Sequence, residues 1–330
     1  MVWMLCGTLA ATLLFPATAL AHGRNTPVAT NFQARVDHLP AGVEAKVVDG
    51  DRKLWLRVPS SSTLIVLGFQ REPYIRFDSA GVELNLRSPT TYLNQPRLQY
   101  ASRATSVTAR PDWKRATHEH GYSWHENRLH ALERLAYGGD ARVVGRWSVP
   151  VQLGGNVSVI TGTLSYVPGP RRWFWLLALI ATVAVALTVA TRRRGTAEVV
   201  LSVVALAAAL VARLGRELYG RPEVPTVSLV VAALSCLLAV ALLGALLSAR
   251  GERRQLVALV IGGFALYQGL TLVPVLTSGV VLAALPATLE RAAVATTLAC
   301  AVATLAVVLF AEAAERARQT APTPAVTPRA

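Results

Sequence analysis

The chain has 330 residues, 53% of them apolar and only 16% charged, with a formal net charge of +14. A typical soluble domain carries about 25% charged residues, so a single soluble globule, a disordered chain and a nucleic-acid-binding tail protein are excluded. The charge is unevenly spread: residues 22–170 hold 18 Lys/Arg against 12 Asp/Glu, whereas the rest of the chain holds 15 Arg against 7 Glu, with the arginines at the ends of apolar runs.

Residues 1–21 contain an apolar stretch from Leu9 to Phe15, then Pro16 and Ala19-Leu20-Ala21. This reads as a signal peptide cut after Ala21, which would make His22 the mature N-terminus. From residue 22 to residue 170 the signals are those of short strands. Val43–Val48 and Lys53–Val58 flank Asp49-Gly50, a pair that favours the positive φ of a tight hairpin. Leu64–Phe69, Tyr74–Phe77 and Val82–Leu86 follow, the last two separated by a turn at Asp78–Gly81. Val143–Leu153 and Val157–Val167 flank Gly154-Gly155-Asn156, a second hairpin. Eight or so strands at this spacing predict an immunoglobulin-like or cupredoxin-like β-sandwich. No cysteine lies in it (Cys6, Cys236 and Cys300 are all elsewhere), so its stability must come from an apolar core.

Five apolar runs come next, at 173–191, 197–213, 226–249, 255–276 and 292–311. Each is long enough to cross about 30 Å of hydrocarbon, and together they predict a five-helix transmembrane bundle over 171–312. Arg192-Arg193-Arg194, Arg250, Arg253 and Arg254, and the arginines of the 313–330 tail then fall on one side. That positive-inside pattern puts residues 22–170 outside the plasma membrane and the C-terminus in the cytoplasm. Trp173 and Trp175 fit an outer interfacial anchor. No span has an ionisable residue at its middle, which argues against ion-coupled transport. Ala205/Ala209, Ala241/Ala245 and Ala299/Ala303 are spaced for close helix contact. The Pro/Thr-rich tail from 313 to 330 is expected to be disordered.

All six histidines lie between residues 22 and 130, and four of them fall in T-H-E-H-G-Y-S-W-H-E-N-R-L-H. On an extended strand His118 and His120 would share one side. A mature His22 would add an α-amine and an imidazole that can chelate the same ion. His125 and His130 are further candidate ligands, with Glu126 between them; the alternative is that they are only hydrogen-bonding groups of a turn or short helix. Nitrogen donors in an oxidising compartment suit Cu(II), with zinc as the competitor. A blue-copper site is excluded because residues 22–170 contain neither Cys nor Met. No G-x-S-x-G, HExxH, glycine-rich phosphate loop or nucleophilic cysteine is present, and no enzyme activity is expected.

The segments E-P-Y-I-R-F…S-P-T-T-Y-L-N (72–94), Y-S-W-H-E-N-R-L-H (122–130) and G-T-L-S-Y-V-P-G-P (162–170) resemble a family of uncharacterised actinobacterial membrane proteins. That resemblance implies a signal peptide, an extracytoplasmic β-domain and a C-terminal helical bundle, and carries no activity. Against the family's W-H-D-H-R-x-H-W pattern, Trp124, His125, Arg128 and His130 match. Glu126 replaces the Asp, Asn127 the middle His and Ala131 the last Trp. An N-terminal His with a distant H-x-H is also similar to the copper sites of periplasmic copper-resistance chaperones and of the soluble-domain subunit of particulate methane monooxygenase. The sequence therefore predicts a plasma-membrane protein whose outer domain binds or hands over copper. The alternative is an envelope scaffold that contacts other membrane proteins through its β-domain.

Overall fold

A computed structural model describes residues 27–94, 105–130, 139–220 and 224–320. The expected signal peptide, residues 1–21, and the candidate ligand His22 lie outside them. The N-terminal half is an antiparallel β-domain. Its strands are β1 (Ala29–Thr30), β2 (Phe32–His38), β3 (Glu44–Val48), β4 (Lys53–Arg57), β5 (Leu64–Leu67), β6 (Pro73–Asp78), β7 (Gly81–Asn85), β8 (Trp113–Thr117), β9 (Gly121–His125), β10 (Arg142–Leu153) and β11 (Asn156–Tyr166). A short helix α1 (Pro89–Asn94) lies between β7 and β8. Seven strands form one sheet in the order β2-β11-β10-β5-β6-β7-β8, and β3-β4-β9 form another.

Turn chemistry accounts for the hairpins. Asp49 and Gly50 both adopt positive φ, 58° and 80°, and Val48 pairs with Lys53 across the turn. Gly50 is required twice over, because a Cβ there would also overlap the Thr30 methyl group. Gly154 and Gly155 likewise have φ of 56° and 89°, closing the long β10–β11 ribbon at Leu153↔Asn156.

Both sheets feed one core. Leu54, Leu56 and Trp124 from the smaller sheet meet Val66, Ile75, Phe77, Val149, Val151 and Ile160 from the larger. Fully burying an aliphatic or aromatic side chain of this size contributes about 1.5–3 kcal/mol. One expectation needs correction here. Val82–Leu86 alternates apolar and polar residues, the pattern of a strand with one face in the core, but all five residues of β7, Gly81–Asn85, are buried. The polar members survive burial because they are paired. Glu83 is salt-bridged to Arg76 and, at 2.9 Å, to Arg115. Asn85 donates to the Pro73 carbonyl at 2.7 Å and accepts from the Arg87 and Asp112 amides.

The C-terminal half is helical: α2 (Arg172–Glu217), α3 (Thr226–Ser248), α4 (Glu252–Thr271), α5 (Val273–Thr277) and α6 (Ala287–Thr320), with β12 (Val280–Val281) between α5 and α6. Among the described residues three helices are long and apolar enough to cross a membrane: α2, α3 and Ala287–Phe310 of α6. The five separate apolar runs are therefore distributed differently from the expectation. The first two lie on α2, whose only non-helical backbone is at Arg193 (φ −143°, ψ 59°). Trp175 and Ala212, on either side of that break, belong to one apolar cluster with Val275 and Ala293. A straight helix would set them about 55 Å apart at 1.5 Å per residue, so the two segments of α2 fold back on each other. The fourth run is divided between α4 and α5, where Pro274 in the first turn of α5 interrupts the ladder. The tail boundary moves as well. Ala, Glu and Arg dominate residues 311–318, and these good helix formers carry α6 on to Thr320.

Small residues make the closest helix contacts. Ala205 and Ala209 pack on Ala265, Cys300 and Ala301, and Ala299 and Ala303 are buried, whereas Ala241 and Ala245 are exposed. The β-domain is keyed into the bundle end. Strand β1 pairs with β12, the Gly279 amide donates to Asn31 Oδ1 at 2.9 Å, and the Val167 amide donates to the Asn31 carbonyl at 2.8 Å. Trp173 is 56% exposed, but Trp175 packs with Val28, Ala29 and Val281 into this joint.

Candidate metal-binding site

Strand β9 runs beside β4, with Arg57 opposite Gly121 and Lys53 opposite His125. Alternation turns Trp124 into the core, 2% exposed, and leaves His125 half-buried on the other face. The chain then turns sharply through a 3₁₀ segment, Asn127–Leu129, capped by Glu126. Glu126 is fully buried. Its carboxylate accepts from Trp124 Nε1 at 2.9 Å, from the Arg128 amide at 3.2 Å, and from Arg128 Nε and Nη2 at 2.8 and 2.7 Å. Arg128 also donates to the Leu67 carbonyl at 3.0 Å and lies over the Phe69 ring at 5.1 Å. Leu129 is fully buried in the core. Asn127 is held by Asn94 Oδ1 and the Leu93 carbonyl of α1.

This turn returns His130 to His125. Their Nε2 atoms are 3.0 Å apart, and the rings sit 4.7 Å centroid to centroid at 44°. Behind His130, Nδ1 is 3.4 Å from Asp51 Oδ2, a carboxylate on the β3–β4 turn. A proton on Nδ1 facing Asp51 leaves the His130 Nε2 lone pair to accept from His125 Nε2–H, the proton that a metal ion would displace. Burial holds the His125 imidazole below its usual range, helped by the neighbouring His130 and Arg52, while a hydrogen bond to Asn127 and the Glu126 charge oppose the shift. Unprotonated nitrogen is the form that binds metal. Two Nε2 atoms 3.0 Å apart subtend about 90° at an ion about 2.1 Å from each, the cis angle of a tetragonal centre. A tetrahedral ion at the same bond length would need them about 3.4 Å apart.

The other candidates do not join this pair. His118 and His120 lie in the bend between β8 and β9, not on an extended strand, so the period-two argument does not apply to them. The His120 carbonyl accepts from the Val58 amide at 3.1 Å, at the Arg57 end of β9. Five residues at about 3.3 Å each put it some 16 Å along the strand from His125. Among the described residues no group of three or more His, Cys, Asp or Glu is placed to hold a metal ion, and the His22 candidate lies outside them. His38, at the end of β2, is exposed.

Sequence reasoning missed Asp51, which looks like an ordinary turn residue. It also missed Glu72, whose buried carboxylate accepts from Ser88 Oγ at 2.8 Å, Thr90 Oγ1 at 2.6 Å and the Gln70 amide at 3.0 Å. Burial alone would raise that carboxyl. The hydrogen bonds from Thr90, Ser88 and the backbone outweigh it and hold the group below its ordinary value. The available signal was the hydroxyl-rich S-P-T-T segment, which has no strand pattern of its own. Comparison with known protein families, with curated proteins and with solved structures returned no match.

Proposed function

We propose that this is a multi-pass plasma-membrane protein whose extracytoplasmic β-domain binds a metal ion, copper before zinc, and hands it on. The observation that carries this reading is the His125–His130 pair, with its 3.0 Å Nε2 separation and Asp51 behind His130. Two protein nitrogens leave the remaining coordination positions to solvent, to the His22 segment or to the donors of a partner, which suits transfer more than storage. Two sheets sharing one core support the immunoglobulin- or cupredoxin-like sandwich. The break at Arg193, with the return of Ala212 to Trp175, supports counting α2 as two crossings, which with α3 and α6 makes four; the count of five adds α4, on the strength of its apolar run alone. Under that count the arginines of 192–194 and 250–254 lie inside and the β-domain outside.

The test is a Cu(II) and Zn(II) titration of the full-length chain in detergent. The His125→Ala/His130→Ala variant should lower Cu(II) affinity at least tenfold, about 1.4 kcal/mol. The His118→Ala/His120→Ala variant should leave it unchanged. Loss in the second variant and retention in the first would overturn the assignment.

A scaffold role is the second reading, favoured by the β1–β12 pairing and the Asn31–Gly279 contact, which lock the β-domain to the bundle. A chain that takes up neither metal at stoichiometric concentration leaves that reading standing.

A further inference from the structure

The fold-back of α2 leaves a groove between its two segments. It has a volume of about 450 Å³. Ala181, Val185 and Val189 line one side and Ala197, Val200 and Leu201 the other. Val185 is 63% exposed and Val200 53%. The Thr182 hydroxyl at its wall is satisfied within its own helix, donating to the Ala178 carbonyl at 2.8 Å, so the groove offers hydrocarbon and no free polar group from that residue. Among the described residues no other helix lines it.

The mouth of the groove has a different character. A cleft of about 570 Å³, sharing Thr196 and Val200 with the groove, is lined by Arg193, Arg194 and Arg254. Arg194 is paired with Glu198 at 3.0 Å, and the other two guanidinium groups are contributed by separate elements: the α2 break and the first turn of α4. Arg254 Nε is buried with no hydrogen-bond partner among the described residues. Its Nη2 would lie only 3.3 Å from a Cβ at Gly195, so the glycine gives the guanidinium room beside the helix break. A cationic cleft continuous with an apolar groove is complementary to one kind of molecule, an anion carrying an aliphatic chain.

The geometry points to a binding site for one anionic phospholipid, its phosphate on Arg193 and Arg254 and one acyl chain in the groove between the α2 segments. A partner helix would use the groove but leave the arginine cleft unmatched. The bound lipid would clamp the break at Arg193 to α4, fixing the angle of the α2 hairpin. This rests on the reading of α2 as membrane-embedded, and carbonate extraction of membranes tests that separately.

The experiment is native mass spectrometry of the full-length chain in nonionic detergent, with dioleoyl phosphatidylglycerol or dioleoyl phosphatidylcholine at equal concentration. One retained phosphatidylglycerol per chain is expected, and much less phosphatidylcholine. Arg193→Gln with Arg254→Gln should cut retention at least about tenfold, since each arginine near an anionic headgroup is worth several-fold in binding. Val185→Trp, which fills the groove and leaves the arginines in place, should also cut it, with helical circular dichroism unchanged. Equal retention of both lipids, or full retention in both variants, overturns the proposal. So does displacement of the lipid by millimolar inorganic phosphate, which would mark a free-phosphate site, or a dimer mass that excludes lipid, which would mark a second copy in the groove. A chain that resists carbonate extraction and yet ignores phosphatidylglycerol removes the lipid site and leaves the membrane reading intact.

Discussion

Removing the Glu126 carboxylate tests the reasoning about the histidine turn most directly. In Glu126→Ala, Arg128 keeps only the Leu67 carbonyl and the face of Phe69, and its side chain is 13% exposed. Stripping one partner from a buried pair costs about 3–5 kcal/mol, because the other charge is left without compensation. Trp124 Nε1 loses its acceptor in the same step, so the upper end of that range is expected. At about 2–4 °C per kcal/mol for a domain of this size, the melting temperature of the β-domain should fall by about 10–20 °C. The assay is thermal unfolding of the full-length chain in detergent, followed by near-ultraviolet circular dichroism of the buried tryptophans. Glu126→Leu/Arg128→Leu should be less destabilised than the sum of its single variants by about 1–3 kcal/mol, since neither residue then leaves a buried charge behind. A loss below about 1 kcal/mol for Glu126→Ala, or strict additivity in the cycle, would refute the claim that this ion pair holds the turn.

Two other perturbations read out separate parts of the fold. Glu72→Gln should cost about 1.5–3 kcal/mol at neutral pH, the worth of hydrogen bonds to a charged acceptor. Because the folded carboxyl is held below its ordinary value of 4.5, its stabilisation is complete above that pH and is lost as pH falls through the lowered value. The gap between wild type and variant should therefore narrow on acidification below about pH 4.5, and a gap constant from pH 7 to pH 3 would count against this. Gly279→Val should force apart the joint between the β-domain and the bundle, because a Cβ at residue 279 would overlap the Val167 carbonyl. Hydrogen exchange at the Gly279 and Leu282 amides should then speed up while Val149 in the core keeps its protection; unchanged exchange at Gly279 would show that the joint tolerates the side chain.

Local chemistry was legible in the bare chain. Asp49-Gly50 and Gly154-Gly155 announce hairpins because few other residues accept positive φ, and that preference needs no knowledge of the rest of the fold. The apolar runs and their bordering arginines announce membrane-compatible helices for a similar reason, since length and hydropathy are properties of the segment alone. The histidine-rich stretch was visible as the one concentration of nitrogen donors, but which of its members meet was not. His125 and His130 are brought together by a turn whose cap, Glu126, is held by Trp124 and Arg128. Asp51 reaches His130 across 79 residues, through strand pairing that no periodicity encodes. Strands β8 and β9 were missed because W-K-R-A-T and G-Y-S-W-H become strands by pairing with β7 and β4 rather than by propensity. The burial of every residue in β7, and the reversal of α2 at a single arginine, have the same origin. Each costs free energy locally and is stable only where distant segments supply the missing hydrogen bonds, counter-charges and apolar contacts, so only the assembled structure decides it.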